Sequence, residues 1–178
     1  MPVAMAIVTS ASAGMRAAGR ATILQLRDPL STARAIEEEA LNLVATSPAP
    51  VVISSRCDIA LAAAAAGVNL PENDISVQAA RGLLGDRLVG RSVHSIAGAL
   101  SAEAEGADYV LFGPVWASAS HTAAVSAGIA ALAEVARSVR IPVLAIGGVT
   151  EARIAECLAA GAAGYAAIRL FTNPVNKE

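Results

Sequence analysis

Short apolar runs recur along the chain at Val3–Val8, Thr22–Leu26, Val51–Ser54, Gly67–Leu70, Leu88–Val93, Tyr109–Phe112, Pro142–Ile146 and Gly164–Ile168. They are continuously apolar rather than alternating, which is how parallel strands buried on both faces read. Between them lie Ala-rich stretches with helical spacing. Ile36, Ala40, Leu43 and Val44 recur at i, i+4, i+7 and i+8, Ile129, Leu132, Val135 and Val139 form a second apolar stripe, and Ile154 and Leu158 a shorter one. Ser31 and Thr150 stand where N-caps are wanted. Gly67, Gly85, Gly106 and Gly161 follow helical stretches, where a left-handed C-cap favours glycine. Pro50 and Pro142 open or precede strands.

Eight such repeats predict an α/β chain folded as a single (β/α)8 TIM barrel over residues 1–178, with an open doubly wound sheet as the alternative. Each unit has only about 22 residues, whereas such barrels usually total about 200 or more. The helix after the first strand (Ala11–Gly19) and the tail after the last (Thr172–Glu178) are therefore expected to be short. That shortening would bare barrel surface for a second copy, so a homo-oligomer is expected. Ala117–Gly128 has no pattern, and a loop of that length in so compact a chain marks function.

Composition narrows the function classes. At 55% hydrophobic and 16% charged, the chain can bury a sizeable core. A formal charge of −2, a pI near 5.7 and 3% aromatics exclude a broad nucleic-acid surface or a base-stacking platform. Any anion must be held locally. Cys57 and Cys157 form neither a C-x-x-C pair nor a zinc cluster and read as free thiols of a reducing cytoplasm. The opening MPVAMAIVTS lacks the basic region and cleavage site of a signal peptide. No run approaches the ~20 uninterrupted apolar residues of a membrane span. The expectation is a cytoplasmic protein with no membrane or nucleic-acid partner.

In a barrel, chemistry gathers at the carboxyl ends of the strands. The polar residues there are Gln25 and Arg27; Ser54, Ser55 and Arg56; Asn69, Glu72, Asn73 and Asp74; Ser92, His94 and Ser95; Ser118, Ser120, His121 and Thr122 in the long loop; and Arg169. The pair Gly147-Gly148 follows the seventh strand and precedes a helix. Glycines let backbone amides approach an anion, and barrels commonly hold phosphate with the loops after strands 7 and 8. Gly147, Gly148, Ile168 and Arg169 are accordingly candidate phosphate-binding residues, and a plain tight turn is the competing reading.

Several blocks in fixed order carry a resemblance: Gln25-Leu26-Arg27-Asp28, Arg56-Cys57-Asp58-Ile59-Ala60, Gly67-Val68-Asn69-Leu70, Ser92-Val93-His94-Ser95, Gly106-Ala107-Asp108-Tyr109-Val110, Gly113-Pro114-Val115-Trp116 and Ile141 to Gly148. From about Thr22 to Leu170 the chain resembles the thiamine phosphate synthase family, which includes the thiazole tautomerases. The resemblance implies a (β/α)8 barrel and a small phosphorylated heterocycle as ligand. The family's synthases join a pyrimidine pyrophosphate to a thiazole phosphate, with magnesium holding the pyrophosphate.

This chain departs from the synthase pattern in one direction. Pro29 replaces the lysine of Gln-Leu-Arg-x-Lys, and Ser54-Ser55 replaces an Asn-Asp whose acid is a magnesium ligand. A hydroxyl is a poorer ligand than a carboxylate for a hard dication. Of the two metal acids only Asp74 survives, and His121 stands where the strand-6 loop has a lysine. The resemblance therefore points to the tautomerase branch, which moves a proton within a carboxylated thiazole phosphate and needs no metal. His94 or His121 would move the proton, as histidine titrates near the working pH. Arg27 would orient the carboxylate, and Gln25, Ser54, Ser55, Asn69, Ser118 and Ser120 would line the substrate site. No cofactor is expected, and Asp74 would bind magnesium only if synthase chemistry is kept. The alternatives are a synthase with a remodelled pyrophosphate site and a non-catalytic phosphate-ligand sensor. Pro114 occupies the position after the strand-6 glycine where some tautomerases carry a histidine.

Blander readings stand beside these. His94 would be a satisfied buried histidine, Arg27 a partner of Asp28 or Glu72, and Asp74 a first-turn helix acid. Arg56 and Asp58 would brace a loop, Ser54 and Ser55 would cap a helix, Trp116 would pack beneath the long loop, and Glu37 to Glu39 would be a solvated face.

Overall fold

The computed structural model describes residues 1–117 and 126–172. Eight strands, β1 (Val3–Val8), β2 (Ile23–Leu26), β3 (Val51–Ser54), β4 (Gly67–Leu70), β5 (Leu88–Val93), β6 (Tyr109–Phe112), β7 (Val143–Ile146) and β8 (Gly164–Ala167), alternate with eight helices. All neighbouring strands pair in parallel, and β8 pairs with β1, closing the barrel. The helices are α1 (Ala11–Ala17), α2 (Ala33–Thr46), α3 (Cys57–Ala62), α4 (Val77–Leu84), α5 (Ile96–Ala104), α6 (Gly128–Ser138), α7 (Glu151–Ala159) and α8 (Arg169–Thr172). The expected shortness of α1 holds, and α3 is shorter still; of the tail Thr172–Glu178 only Thr172, at the end of α8, lies among the described residues.

The continuous apolarity of the strands has a direct cause. Alternate residues point to opposite faces, and each face has its own core. Met5, Ile7, Ile23, Val52, Tyr109, Leu111, Leu144 and Ala166 pack together, while Ala4, Ala6, Val8, Leu24 and Leu26 pack with the helices. In the first of these cores, Gly90 makes room for the Tyr109 ring: a Cβ there would lie 2.1 Å from the ring. Small residues bring the helices close, with Ala40, Ala60, Ala80 and Ala99 fully buried.

Local details differ from the sequence expectations. Pro142 has no amide to donate, so β7 starts at Val143. The N-cap of α2 is Thr32, whose hydroxyl accepts from the Ala35 amide, while Ser31 donates to Asp28 Oδ2 at 2.6 Å. Thr150 occupies the N-cap position of α7 without a side-chain cap bond. Gly85, Gly106 and Gly161 take positive φ after helices as expected. Gly67 does not. It opens β4, where a Cβ would lie 1.9 Å from the Leu88 carbonyl, and close backbone approach is what demands glycine there. Ala64 takes the left-handed conformation after α3 instead. No helix among the described residues is long and apolar enough to cross a membrane.

Candidate functional site

The carboxyl ends of the strands surround a cavity of about 210 Å³. Of the sequence candidates, Gln25, Arg27, Ser54, Asn69, His94, Gly147 and Ile168 line it. Glu72 and Ser92 join them, with an apolar wall of Ile7, Leu111 and Ile146. Ser118, Ser120 and His121 lie outside the described residues.

Gln25 and Asn69 are both 2% exposed. Asn69 donates to Ser92 Oγ at 3.0 Å, but its Oδ1 and the Oε1 of Gln25 have no partner among the described residues. A buried polar atom left unpaired costs about 1–3 kcal/mol. Two such acceptors in one cavity wall suit a ligand that brings donors.

Arg27 is exposed at the end of β2, and no carboxylate pairs with it among the described residues. Asp28, expected as its partner, accepts instead from Ser31 and the Leu30 amide, which hold its carboxyl below the usual range. His94 is exposed at the rim rather than buried. Its ring Nδ1 donates to the Gly113 carbonyl, its main-chain amide donates to Glu72 Oε1 at 3.3 Å, and its Nε2 lies 3.8 Å from Glu72 Oε2.

Gly147 and Gly148 have φ of +89 and +68, a region where a side chain is strained. Among the described residues no acceptor pairs with either amide. Trp116 packs against Gly148, where a Cβ would lie 2.7 Å from Trp116 Cβ, while residues 118–125 of the long loop expected above it lie outside the described residues. Ile168 closes this side of the cavity. Arg169 is exposed and does not line it, since successive side chains diverge as β8 gives way to α8.

Across the rim the groups are engaged with one another. Ser55 donates to Asp74 Oδ2, and Asp74 Oδ1 accepts from the Ile75 amide at 2.8 Å. Asp74 lies two residues before the α4 N-cap, Ser76, so it is no first-turn acid. Neither serine side chain caps α3, whose N-cap is Arg56. Arg56 is forked onto Asp58 through Nε at 2.8 Å, and this hydrogen-bonded partner lowers the Asp58 carboxyl to about 2.

The sequence profile of the family described as "Thiamine monophosphate synthase" matches residues 6–171. The chain belongs to that family. It is 42% identical over 165 residues to the thiamine-phosphate synthase of Methanoculleus marisnigri, covering 88% of this chain and 76% of that protein. It is 45% identical over 167 residues to a putative thiamine-phosphate synthase of Geobacter sulfurreducens, covering 90% and 78%. Among solved structures, the thiamine phosphate pyrophosphorylase of Pyrococcus furiosus superposes with a TM-score of 0.87 at 30% identity, covering 97% of this chain and 88% of that one.

The thiamine monophosphate synthase family implies magnesium, and the residues present do not fit a resident ion. Asp74 is the one carboxylate at the two family positions. Each of its oxygens already accepts a hydrogen bond, from Ser55 and from the Ile75 amide, and it does not line the cavity. Among the described residues no group of three His, Cys, Asp or Glu side chains could hold a metal.

Glu72 and Ser92 stand among the polar strand-end residues of the sequence but carry no assigned site role there, and strand-end position is the one signal that points to them. The apolar wall left no trace distinct from core.

Proposed function

We propose that the chain joins a phosphorylated thiazole to a pyrimidine diphosphate ester, holding the thiazole phosphate at the Gly147–Gly148 turn. The observation that carries this reading is the unpaired amides of the Gly147–Gly148 turn, of which Gly147 lines the cavity, together with Gln25 and Asn69 in the same lining, whose carboxamide oxygens are unpaired among the described residues. Amides freed by glycine suit a dianion. Gln25 Oε1 and Asn69 Oδ1 suit the N–H groups of a heterocycle. Arg27, with no carboxylate beside it, suits a diphosphate, which a guanidinium can grip bidentately. The identity of 42–45% to proteins named thiamine-phosphate synthase or putative thiamine-phosphate synthase supports the same reading.

In this reading the thiazole ring nitrogen attacks the carbon that bears the diphosphate. The C–N bond forms as the C–O bond breaks, and the electron pair leaves with the diphosphate. Ile7, Leu111 and Ile146 keep water from competing, and Arg27 stabilises the departing charge.

A second reading, proton movement within a carboxylated thiazole phosphate, has one observation in its favour. His94 lines the cavity with Nδ1 anchored on Gly113, which leaves Nε2, 3.8 Å from Glu72 Oε2, as the acid/base nitrogen.

The deciding experiment supplies both substrates, with magnesium and with a chelator, and quantifies the condensed phosphate ester and released pyrophosphate. Equal yields of the two are expected. Solvent-proton exchange into a carboxylated thiazole phosphate without condensation would establish the second reading instead. Tight binding of the thiazole phosphate with neither reaction would leave a phosphate-ligand sensor and overturn both.

A further inference from the structure

We propose that Arg153 is a positioning residue for the phosphate turn, fixing the amides of Gly147, Gly148 and Val149 toward the cavity by pinning the carbonyl side of the turn. The inference rests on the reading that this turn binds phosphate.

Three consecutive carbonyls at the end of β7 are held. Ile146 O accepts from the Val115 amide at 2.9 Å, Gly147 O from the Trp116 amide at 3.1 Å, and Gly148 O from an Arg153 guanidinium nitrogen at 2.8 Å. In a planar trans peptide the carbonyl and the following amide point in opposite directions. Pinning these carbonyls therefore aims the next amides, those of Gly147, Gly148 and Val149, the other way. None of these amides has an acceptor among the described residues, and Gly147 itself lines the cavity.

The first two carbonyls are held by main-chain amides of the segment after β6. The third depends on a single side chain. Arg153 comes from the first turn of α7, four residues beyond Val149, and its guanidinium is fixed from a second direction. Its Cζ lies 4.8 Å from the centre of the Trp116 ring, within cation–π range. Trp116 in turn packs against Gly148. The guanidinium thus couples the turn, the helix that follows it and the loop after β6. It also places a positive charge behind the turn, where a bound dianion would feel it.

The test compares two ligands, the thiazole phosphate and the same thiazole as its unphosphorylated alcohol, by titration calorimetry. The ratio of the two affinities isolates what the phosphate contributes. Arg153→Met removes both the hydrogen bond and the stack. It is expected to weaken the phosphate ester about tenfold, the scale of a charge-assisted hydrogen bond, and to leave the alcohol unchanged. Arg153→Lys keeps a cationic donor and should lose only about threefold. Trp116→Leu removes the stacking platform and should also lose about threefold.

A purely structural Arg153 would lower the unfolding midpoint while leaving the affinity ratio untouched, or weaken both ligands equally. Either result overturns the proposal. Arg153→Lys guards against a variant that merely folds poorly, because its rescue is read in the ratio. A wild-type protein with no preference for the phosphorylated compound overturns the phosphate reading, and the proposal with it.

Discussion

The two sides of the barrel rim are built from similar polar material and use it in opposite ways. After β7, the acceptors are tied down and the donors are free: three carbonyls are held, while the amides of Gly147 and Gly148 have no partner among the described residues. After β3 and β4, donors and acceptors satisfy each other. Ser55 binds Asp74, Asp74 binds the Ile75 amide, and Arg56 is forked onto Asp58. A ligand on the first side gains hydrogen bonds without breaking any. A cation on the second side must first displace bonds worth about 1 kcal/mol each. The contrast separates a receptive surface from a structural latch, although residue types alone would have made both look functional.

The largest expected effect comes from Gly147→Ala. The residue has φ +89, and a Cβ there would lie 2.6 Å from Pro114 Cα. Left-handed strain of about 1–2 kcal/mol together with that clash should turn the peptide. A displacement of about 1 Å is enough to cost about a hundredfold in a preorganised site. Thiazole phosphate affinity should therefore fall about a hundredfold while the barrel's circular dichroism is kept. An unchanged affinity would mean that the turn is only a turn.

The opposite side is probed by Ser55→Asp. It sets a second carboxylate beside Asp74, and like charges at this range repel by about 2 kcal/mol in a half-buried setting. The variant should unfold at a lower temperature in a chelator and recover in millimolar magnesium. Wild type should be indifferent to magnesium. A wild-type protein that gains as much from magnesium as the variant does would erase the distinction between the two sides.

Much of this was legible in the sequence. All eight strands are where the apolar runs put them, because a strand buried on both faces leaves no polar position to blur it. Strand ends then located Gln25, Arg27, Asn69, His94 and Gly147 by position alone, since closure of the barrel converges them. Gly67 was misread because glycine serves left-handed caps and tight backbone contacts alike, and only the neighbouring strand distinguishes the two uses. Arg169 was misplaced by one residue's alternation. The engagement of Ser55 with Asp74 left no signal, since the two positions are 19 residues apart and meet only through the pairing of β3 with β4. Arg153 was equally silent: its role depends on where α7 starts and on the Trp116 ring beneath it.

The smallest effect tests the latch at its most exposed point. Arg56 holds the Asp58 carboxyl at about 2, below the ordinary 3.8, so the folded protein favours the ionised form. The resulting stabilisation is complete above about pH 4 and is lost as pH falls toward 2. Because the Asp58 side chain is 65% exposed, water and salt screen the pair, and its worth is under about 1 kcal/mol. Asp58→Asn should therefore cost less than about 1 kcal/mol at pH 6 by urea denaturation. The gap to wild type should narrow as pH drops through this window and shrink further in high salt. Thiazole phosphate affinity, which belongs to the other side of the rim, should not move. A gap that persists at the bottom of the window would show that Asp58 acts through packing rather than charge.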